Sequence, residues 1–125
     1  MPDKKKKILL VDDSKTVLMM EQMILNKAAY ELVIANDGRQ AIAKANDEHP
    51  DLILMDVMMP EMGGFEACAH LRSVEATRGI PIIMVTTRGE AESIEKGYAS
   101  GCSDYITKPI NGMELLSKLK NYLGE

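Results

Sequence analysis

The sequence predicts a doubly wound α/β domain in which helices cover both faces of a parallel sheet. Five short runs rich in apolar residues alternate with segments whose apolar residues recur every three to four positions. A run that is apolar at successive positions is typical of a strand buried on both faces. Parallel strands need crossover connections, and these are right-handed, so few topologies remain. Among them the flavodoxin-like strand order 2-1-3-4-5, with five helices, is favoured for five strands.

The predicted strands occur at regular intervals along the chain. The first four are continuous apolar runs, and the fifth is a weaker run with a polar residue at each end. Pro50 and Pro81 precede the third and fourth runs, where a strand can begin without the missing N–H. In chain order the runs cover residues 8–11, 32–35, 52–55, 82–85 and 104–107.

Five helices are predicted between and after these runs. The first follows Ser14, and the third and fourth follow Gly63-Gly64 and Gly89. The second and fifth follow Asp37-Gly38 and Asn111, where Asp and Asn are common N-caps. The apolar positions with helical spacing are, in order, Val17, Met20, Met23 or Ile24, and Ala28; Ala41, Ile42 and Ala45; Phe65, Cys68 and Leu71; Ala91, Ile94 and Tyr98; and Met113, Leu115, Leu116, Leu119, Tyr122 and Leu123.

Length and composition favour one globular domain spanning residues 1–125. The chain is 46% hydrophobic and 27% charged, which is too apolar for an intrinsically disordered protein. We find no composition shift, low-complexity tract or linker that would divide it. A start at Met1 and an end just after the fifth helix favour a stand-alone protein, although a domain cut from a longer regulator would look the same.

Several classes of protein are disfavoured by the same data. The net charge of -4 argues against direct nucleic-acid binding, which needs a basic surface. No apolar run approaches the roughly 18 residues of a membrane helix, so membrane insertion is not expected. Cys68 and Cys102 form neither a C-x-x-C pair nor a zinc-like pattern. Two such cysteines, in a chain without an export signal, are typical of reduced thiols in a cytoplasmic protein.

Polar residues follow the strand runs and predict a functional site. Asp12 and Asp13 follow the first run, Asp56 the third, Thr86 the fourth, and Lys108 the fifth. In an open α/β sheet, ligands bind beyond the carboxyl ends of the strands where the winding direction reverses. In the order 2-1-3-4-5 that point lies between the first and third strands. The three acids are therefore expected in one crevice, with the threonine and the lysine beside it.

Each of these residues also has an ordinary structural explanation. Asp12, Asp13 or Ser14 could cap the first helix. Thr86 could be a hydroxyl at a strand end, and Lys108 a solvated lysine. The combination of suitable residues at four strand ends nevertheless favours a site over four separate coincidences.

The charge of three neighbouring carboxylates predicts a bound cation. Two unit charges about 4 Å apart repel by roughly 4 kcal/mol at an effective dielectric constant near 20. Protonation of one acid, the ammonium of Lys108 or a metal ion could offset that repulsion. Since only oxygen ligands are available, Mg²⁺ is the expected metal.

A carboxylate beside Mg²⁺ and a lysine suits phosphoryl transfer through an aspartyl phosphate. We expect Asp56 to be the nucleophile, because the adjacent pair Asp12 and Asp13 is better placed to anchor the metal. Lys108 would neutralise charge on the phosphoryl oxygens, and the Thr86 hydroxyl would donate a hydrogen bond to one of them.

Four motifs resemble the receiver domain of two-component response regulators. They are the segments at 11–14, 56–64, 85–87 and 105–109, with the sequences VDDS, DVMMPEMGG, VTT and YITKP. The resemblance extends over essentially the whole chain, and the four motifs appear in the family's order and at its spacing. Each motif alone is weak, but the set of four is highly specific.

The resemblance implies a phosphorylation-activated signalling switch of a phosphorelay. Asp56 would accept a phosphoryl group from a phosphohistidine of a sensor histidine kinase or a histidine phosphotransfer protein. Asp13 would bind Mg²⁺ directly, Asp12 mostly through water, and the Met58 backbone carbonyl would be a further ligand. Lys108 would bind a phosphoryl oxygen, and the Lys108–Pro109 peptide bond would be cis.

The resemblance also implies how such a switch would signal. Thr86 would move toward the phosphoryl group, and Tyr105 would turn inward as it does. The surface made by the fourth helix, the fifth strand and the fifth helix would then change and bind a downstream protein. Such a protein catalyses its own phosphotransfer and autodephosphorylation and is not a turnover enzyme.

Two other functions are compatible with the fold. A receiver-like adaptor that never uses phosphate is one alternative, although it would not need the full set Asp12, Asp13, Asp56, Thr86 and Lys108. A Mg²⁺-dependent phosphohydrolase is the other. Such enzymes generally carry a second acid two residues after the nucleophile, where this chain has Met58.

Overall fold

The predicted fold class and strand order are confirmed by a computed structural model, which describes residues 5–59, 62–87 and 91–124. The start of the fourth helix at Gly89, and Pro60 and Glu61 of the second motif, lie outside these ranges. The five parallel strands form one sheet in the order β2-β1-β3-β4-β5. The strands are β1 (Lys7–Val11), β2 (Glu31–Ala35), β3 (Leu52–Asp56), β4 (Ile82–Thr86) and β5 (Asp104–Thr107).

Five helices connect and follow the strands, as the sequence predicted. They are α1 (Lys15–Leu25), α2 (Gly38–Glu48), α3 (Gly64–Ser73), α4 (Ala91–Ser100) and α5 (Gly112–Leu123). Asp37 and Asn111 cap α2 and α5, because their side chains accept hydrogen bonds from the backbone N–H of Gln40 and Glu114. None of the helices in the described ranges is long and apolar enough to cross a membrane.

The sheet separates two apolar layers, which explains why its strands carry so few polar residues. All five residues of β3 and of β4 are buried. On one face, buried residues of α2 and α3 pack with Leu9, Ile53 and Met84. On the other face, buried residues of α1 and α5 pack with Leu10 and Leu54. Alternate residues of one strand therefore serve opposite layers.

Two of the apolar residues with helical spacing in α1 are exposed to solvent. Met20 and Met23 are 44% and 66% exposed, although they carry the apolar periodicity of the segment. The buried residues are Leu18, Glu21 and Leu25, which lie on another side of the helix. Helical spacing identifies several candidate faces, and the contacts with the sheet and α5 select among them.

Gly64 brings α3 close to the end of β3. A Cβ atom at this position would collide with the carbonyl oxygen of Asp56. The Gly64 N–H also donates a hydrogen bond to the Val57 carbonyl at 2.9 Å. The helix therefore starts directly against the strand end that carries Asp56, which glycine alone permits without displacement.

Substitution Gly64→Ala should destabilise the protein by about 1–3 kcal/mol, since the added methyl group forces the backbone at Asp56 to shift. Urea unfolding measures the loss. The matched control is Gly79→Ala, where a Cβ would meet nothing within 4 Å; its free energy of unfolding should change by no more than about 0.5 kcal/mol. Equal stabilities of the two variants would contradict this account of Gly64.

Candidate functional site

Three acids converge at the carboxyl ends of β1 and β3. Carboxylate oxygens of Asp12, Asp13 and Asp56 all lie within 4.8 Å of one another. Asp12 is 1% exposed and Asp56 is 5% exposed, whereas Asp13 faces solvent. The crevice therefore has two buried carboxylates and a third at its mouth, in the place that the topology predicts.

The capping alternative for the two adjacent acids is resolved by the hydrogen bonds at the start of α1. Ser14 is the N-cap, and its hydroxyl accepts a hydrogen bond from the Val17 N–H at 3.3 Å. Asp12 instead accepts a hydrogen bond from the Ser14 N–H at 2.9 Å through Oδ1. That bond fixes the Asp12 side chain and leaves Oδ2 directed at another partner.

Lys108 supplies the positive charge in this structure. Its Nζ lies 3.3 Å from Asp12 Oδ2 and 3.1 Å from Asp56 Oδ1, so it bridges the two buried acids. The lysine side chain is 19% exposed, so these ion pairs are only partly screened by water. The peptide bond from Lys108 to Pro109 is cis.

The pKa values of Asp56 and Lys108 indicate the charge that each group carries. Burial raises the pKa of Asp56 to about 6, the charge of Asp12 adds to the rise, and Lys108 opposes it. Burial works to lower the pKa of Lys108, but the charges of Asp56 and Asp12 outweigh it and the net pKa is raised. The ammonium is therefore retained at neutral pH, and Asp56 is mostly ionised there.

Thr86 and Lys108 are held at the same level by the sheet. Thr86 ends β4 and is 8% exposed. Its carbonyl accepts a hydrogen bond from the Lys108 N–H at 2.6 Å. The neighbouring strand end is fixed in the same way, because the Val57 N–H donates to the Val85 carbonyl at 3.1 Å. The backbones that carry Asp56, Thr86 and Lys108 are thus aligned at the ends of three adjacent strands.

The remaining predicted residues lie at the margin of the crevice or away from it. Met58 follows Asp56 by two residues, and its side chain is 75% exposed. Tyr105 lies on β5, where its ring meets that of Tyr98 edge to face, with the centroids 6.3 Å apart. Lys118 Nζ lies 5.7 Å from the Tyr105 ring centroid. Tyr105 is therefore packed against α4 and α5 rather than against the acids.

Glu21 is a residue of this region that sequence reasoning missed. It is 1% exposed on the inner face of α1, although it carries a carboxyl group. The charges of Asp12, Lys108 and Asp56 all act on its carboxyl group. The signal that could have revealed it is the spacing of Leu18, Glu21 and Leu25, which matches one face of a helix.

Comparison with known proteins gives a consistent result. Residues 8–120 match the family model described as the response regulator receiver domain. The polar-differentiation response regulator DivK of Brucella ovis is 35% identical, and the match covers 96% of this chain and 98% of DivK. The transcriptional regulatory protein PhoP of Bacillus subtilis is 38% identical over 94% of this chain. The chain spans about half of that relative, since the match covers 48% of PhoP.

A solved structure also resembles the chain closely. It is the receiver domain of a sensor histidine kinase from Pseudomonas aeruginosa, with a TM-score of 0.91 and 30% sequence identity. The match covers 98% of this chain and 100% of that one. In that structure a magnesium ion is coordinated in the active-site cleft.

Removal of the Lys108 ammonium should raise the pKa of Asp56 above its value of about 6, since the ammonium favours the ionised carboxyl. Carbon-13 NMR of the metal-free Lys108→Met variant measures this titration. The control is Lys120→Met, a change at an exposed lysine of α5. A midpoint for Lys108→Met equal to or below that of the wild type would contradict the proposed coupling.

The raised pKa of Asp56 also makes the stability of the folded protein depend on pH. The pKa of Asp56 in the folded state exceeds the value near 3.9 of an unfolded chain. The folded state therefore binds this proton more tightly, so the contribution of Asp56 to stability is greatest in acid. That contribution is lost as the pH rises from about 4 to about 6.

Proposed function

The chain belongs to the response regulator receiver domain family, and from that premise we propose that it is a phosphorylation-activated signalling switch of a two-component phosphorelay. The observation that carries the proposal is the pair of buried acids, Asp12 and Asp56, bridged by the ammonium of Lys108. This arrangement offers a carboxylate nucleophile beside groups that can neutralise a phosphoryl group.

The acids fit a hard divalent cation such as Mg²⁺. Three carboxylates present oxygen atoms within 4.8 Å of one another, which suits the oxygen ligands that such a cation prefers. The Lys108 ammonium already contacts two of these carboxylates, those of Asp12 and Asp56. Asp12, Asp13, Asp56 and the Met58 carbonyl would hold the ion. When bound, Mg²⁺ supplies positive charge that stabilises the developing charge of a transferring phosphoryl group.

Asp56 is the proposed acceptor of the phosphoryl group. One of its carboxylate oxygens attacks the phosphorus of a phosphohistidine, the P–N bond breaks, and its electron pair remains on the imidazole nitrogen. The reaction needs an ionised carboxyl, which a pKa of about 6 provides at neutral pH. Asp12 is less suitable, because its two oxygens are bonded to the Ser14 N–H and to Lys108.

Lys108 and Thr86 are proposed to bind the phosphoryl oxygens once Asp56 is modified. The phosphoryl group brings about -1.5 to -2 charges and three acceptor oxygens into the crevice. Lys108 is already within hydrogen-bond distance of Asp56, and the Thr86 carbonyl accepts a hydrogen bond from the Lys108 N–H. A short movement of both side chains would therefore suffice.

Tyr105 connects this chemistry to a distant surface in the proposal. Its ring contacts Tyr98 of α4 and lies near Lys118 of α5, while its strand leads directly to Lys108. An inward turn of the ring, following Thr86, would remove both contacts. The surface of α4, β5 and α5 would change as a result, and a downstream protein would bind to it.

The proposed phosphoryl donor is a sensor histidine kinase or a histidine phosphotransfer protein. Met20 and Met23 of α1 are exposed apolar residues. A cavity of about 150 Å³ is shared by Val17 and Met20 with Lys108 and Pro109. We propose that the phosphoryl donor binds at this cavity, because a partner bound to these apolar residues of α1 would lie next to Lys108 and the acids.

The proposal describes a protein that catalyses its own phosphotransfer and autodephosphorylation and that turns over no external substrate. It also includes one receiver domain over residues 1–125 and a cytoplasmic location. Cys68 and Cys102, both free and buried, are consistent with that location.

Incubation with Mg²⁺ and acetyl phosphate should add the mass of one phosphoryl group, detected by intact-protein mass spectrometry. The label should disappear in Asp56→Asn and in the presence of a chelator, because both the nucleophile and the cation are required. Asp47→Asn, an exposed acid of α2, is the matched control and should be labelled like the wild type. Labelling that persists in Asp56→Asn would disprove the assigned acceptor, and a wild type that neither small donors nor kinases label would favour the adaptor.

Substitution Lys108→Ala should preserve labelling of Asp56 but prevent the response of Tyr105, since the lysine links the phosphoryl group to β5. Carbon-13 NMR of the Tyr105 ring, with and without acetyl phosphate, measures the response. Lys120→Ala serves as the control, with a wild-type change in the ring signals. A normal Tyr105 response in labelled Lys108→Ala would remove the lysine from the signalling path.

A further inference from the structure

Glu21 is a buried acid for which the proposed chemistry has no use. It lies between Leu18 and Leu25 on the inner face of α1 and is 1% exposed. Its Oε1 atom has no hydrogen-bond partner within residues 5–59, 62–87 and 91–124. An unpartnered carboxyl oxygen in an apolar layer destabilises a fold, and a leucine would continue the apolar face. Such a group calls for a functional explanation.

The carboxyl group of Glu21 lies near Lys108, because Val17 and Met20, its neighbours on α1, line one cavity with Lys108. Burial is the main reason that the pKa of Glu21 rises to about 8, and the charge of Asp12 raises it further while Lys108 opposes the rise. Glu21 lies on the buried face of α1, whereas Asp12, Asp56 and Lys108 lie at strand ends. Burial thus favours the protonated carboxyl group, and Oε1 can accept a hydrogen bond in either protonation state.

Lys108 needs such an acceptor whenever a cation enters the site. Its Nζ is bonded to Asp12 Oδ2 and Asp56 Oδ1, which belong to the acids that would hold a divalent ion. An ammonium and a divalent cation on the same carboxylates repel each other. The lysine side chain is only 19% exposed, so water can hydrate it only in part. An ammonium displaced from Asp12 and Asp56 therefore needs another hydrogen-bond acceptor within the protein.

We propose that Glu21 is a positioning residue for Lys108, whose ammonium donates a hydrogen bond to Oε1 when a divalent cation takes over the carboxylates of Asp12 and Asp56. The proposal rests on the Mg²⁺ binding proposed above. It requires no proton transfer, because a carboxyl oxygen accepts this hydrogen bond in either protonation state. Glu21 thus lowers the cost of moving Lys108 aside and favours binding of the cation, at the expense of stability in the cation-free protein.

The test compares Glu21→Leu and Glu21→Gln in two measurements on the full chain at neutral pH. Calorimetric titration with MgCl₂ gives the affinity, and thermal unfolding without metal gives the stability. Glu21→Leu should melt at a higher temperature and bind Mg²⁺ about tenfold more weakly, as expected for loss of one hydrogen bond to a charged group. Glu21→Gln retains an acceptor oxygen and should bind Mg²⁺ nearly as the wild type does.

A double-mutant cycle distinguishes positioning from a general effect on packing. In the Lys108→Met background there is no ammonium to receive, so Glu21→Leu should no longer weaken Mg²⁺ binding. Glu66→Leu, a change at an exposed acid of α3, controls for the lost carboxyl. The inference fails if Glu21→Leu binds Mg²⁺ as tightly as the wild type does. It also fails if Glu21→Leu weakens Mg²⁺ binding equally in the Lys108→Met background. Either result would leave the proposed metal site intact. A wild type that does not bind Mg²⁺ would overturn the proposed metal site, and this inference with it.

Discussion

The mutual repulsion of the buried acids is the constraint on which the site depends. Folding brings Asp12 and Asp56 together beneath Asp13, in surroundings where two of the three are almost inaccessible to water. Charges in such a place interact far more strongly than in solvent. The ammonium of Lys108 compensates for them in the structure described here. The ammonium of Lys108 therefore contacts two of the acids that are proposed to bind Mg²⁺.

The parallel sheet makes this compensation possible and connects it to the surface. Asp56, Thr86 and Lys108 follow three adjacent strands, and backbone hydrogen bonds between the strand ends keep them at one level. The same β5 that ends at Lys108 carries Tyr105, which rests between Tyr98 of α4 and Lys118 of α5. One short strand therefore joins the lysine of the site to a tyrosine that contacts α4 and lies near α5.

Helix α1 has a buried acid on its inner face and apolar residues exposed to solvent. Its inner face includes Leu18 and Leu25 but also the buried acid Glu21, while the apolar Met20 and Met23 are exposed to solvent. On stability alone the opposite distribution would be favoured. Both departures occur on the helix that follows Asp12 and Asp13. They are the kind of local conflict that is expected near a functional site, where other requirements outweigh packing.

The sequence by itself determined the fold class, the five strands and the groups expected at their carboxyl ends, because buried parallel strands are continuous apolar runs and the topology fixes where they end. Asp37 and Asn111 were likewise recognisable as caps, since capping is local chemistry. Only the tertiary structure decided that Lys108 bridges two acids and that Glu21 is buried. These features depend on which face of a helix meets the sheet and on contacts across some 90 residues of chain, such as the 96 between Asp12 and Lys108. Local periodicity allows the face of Leu18, Glu21 and Leu25 among others, but it neither selects that face nor encodes contacts between distant residues.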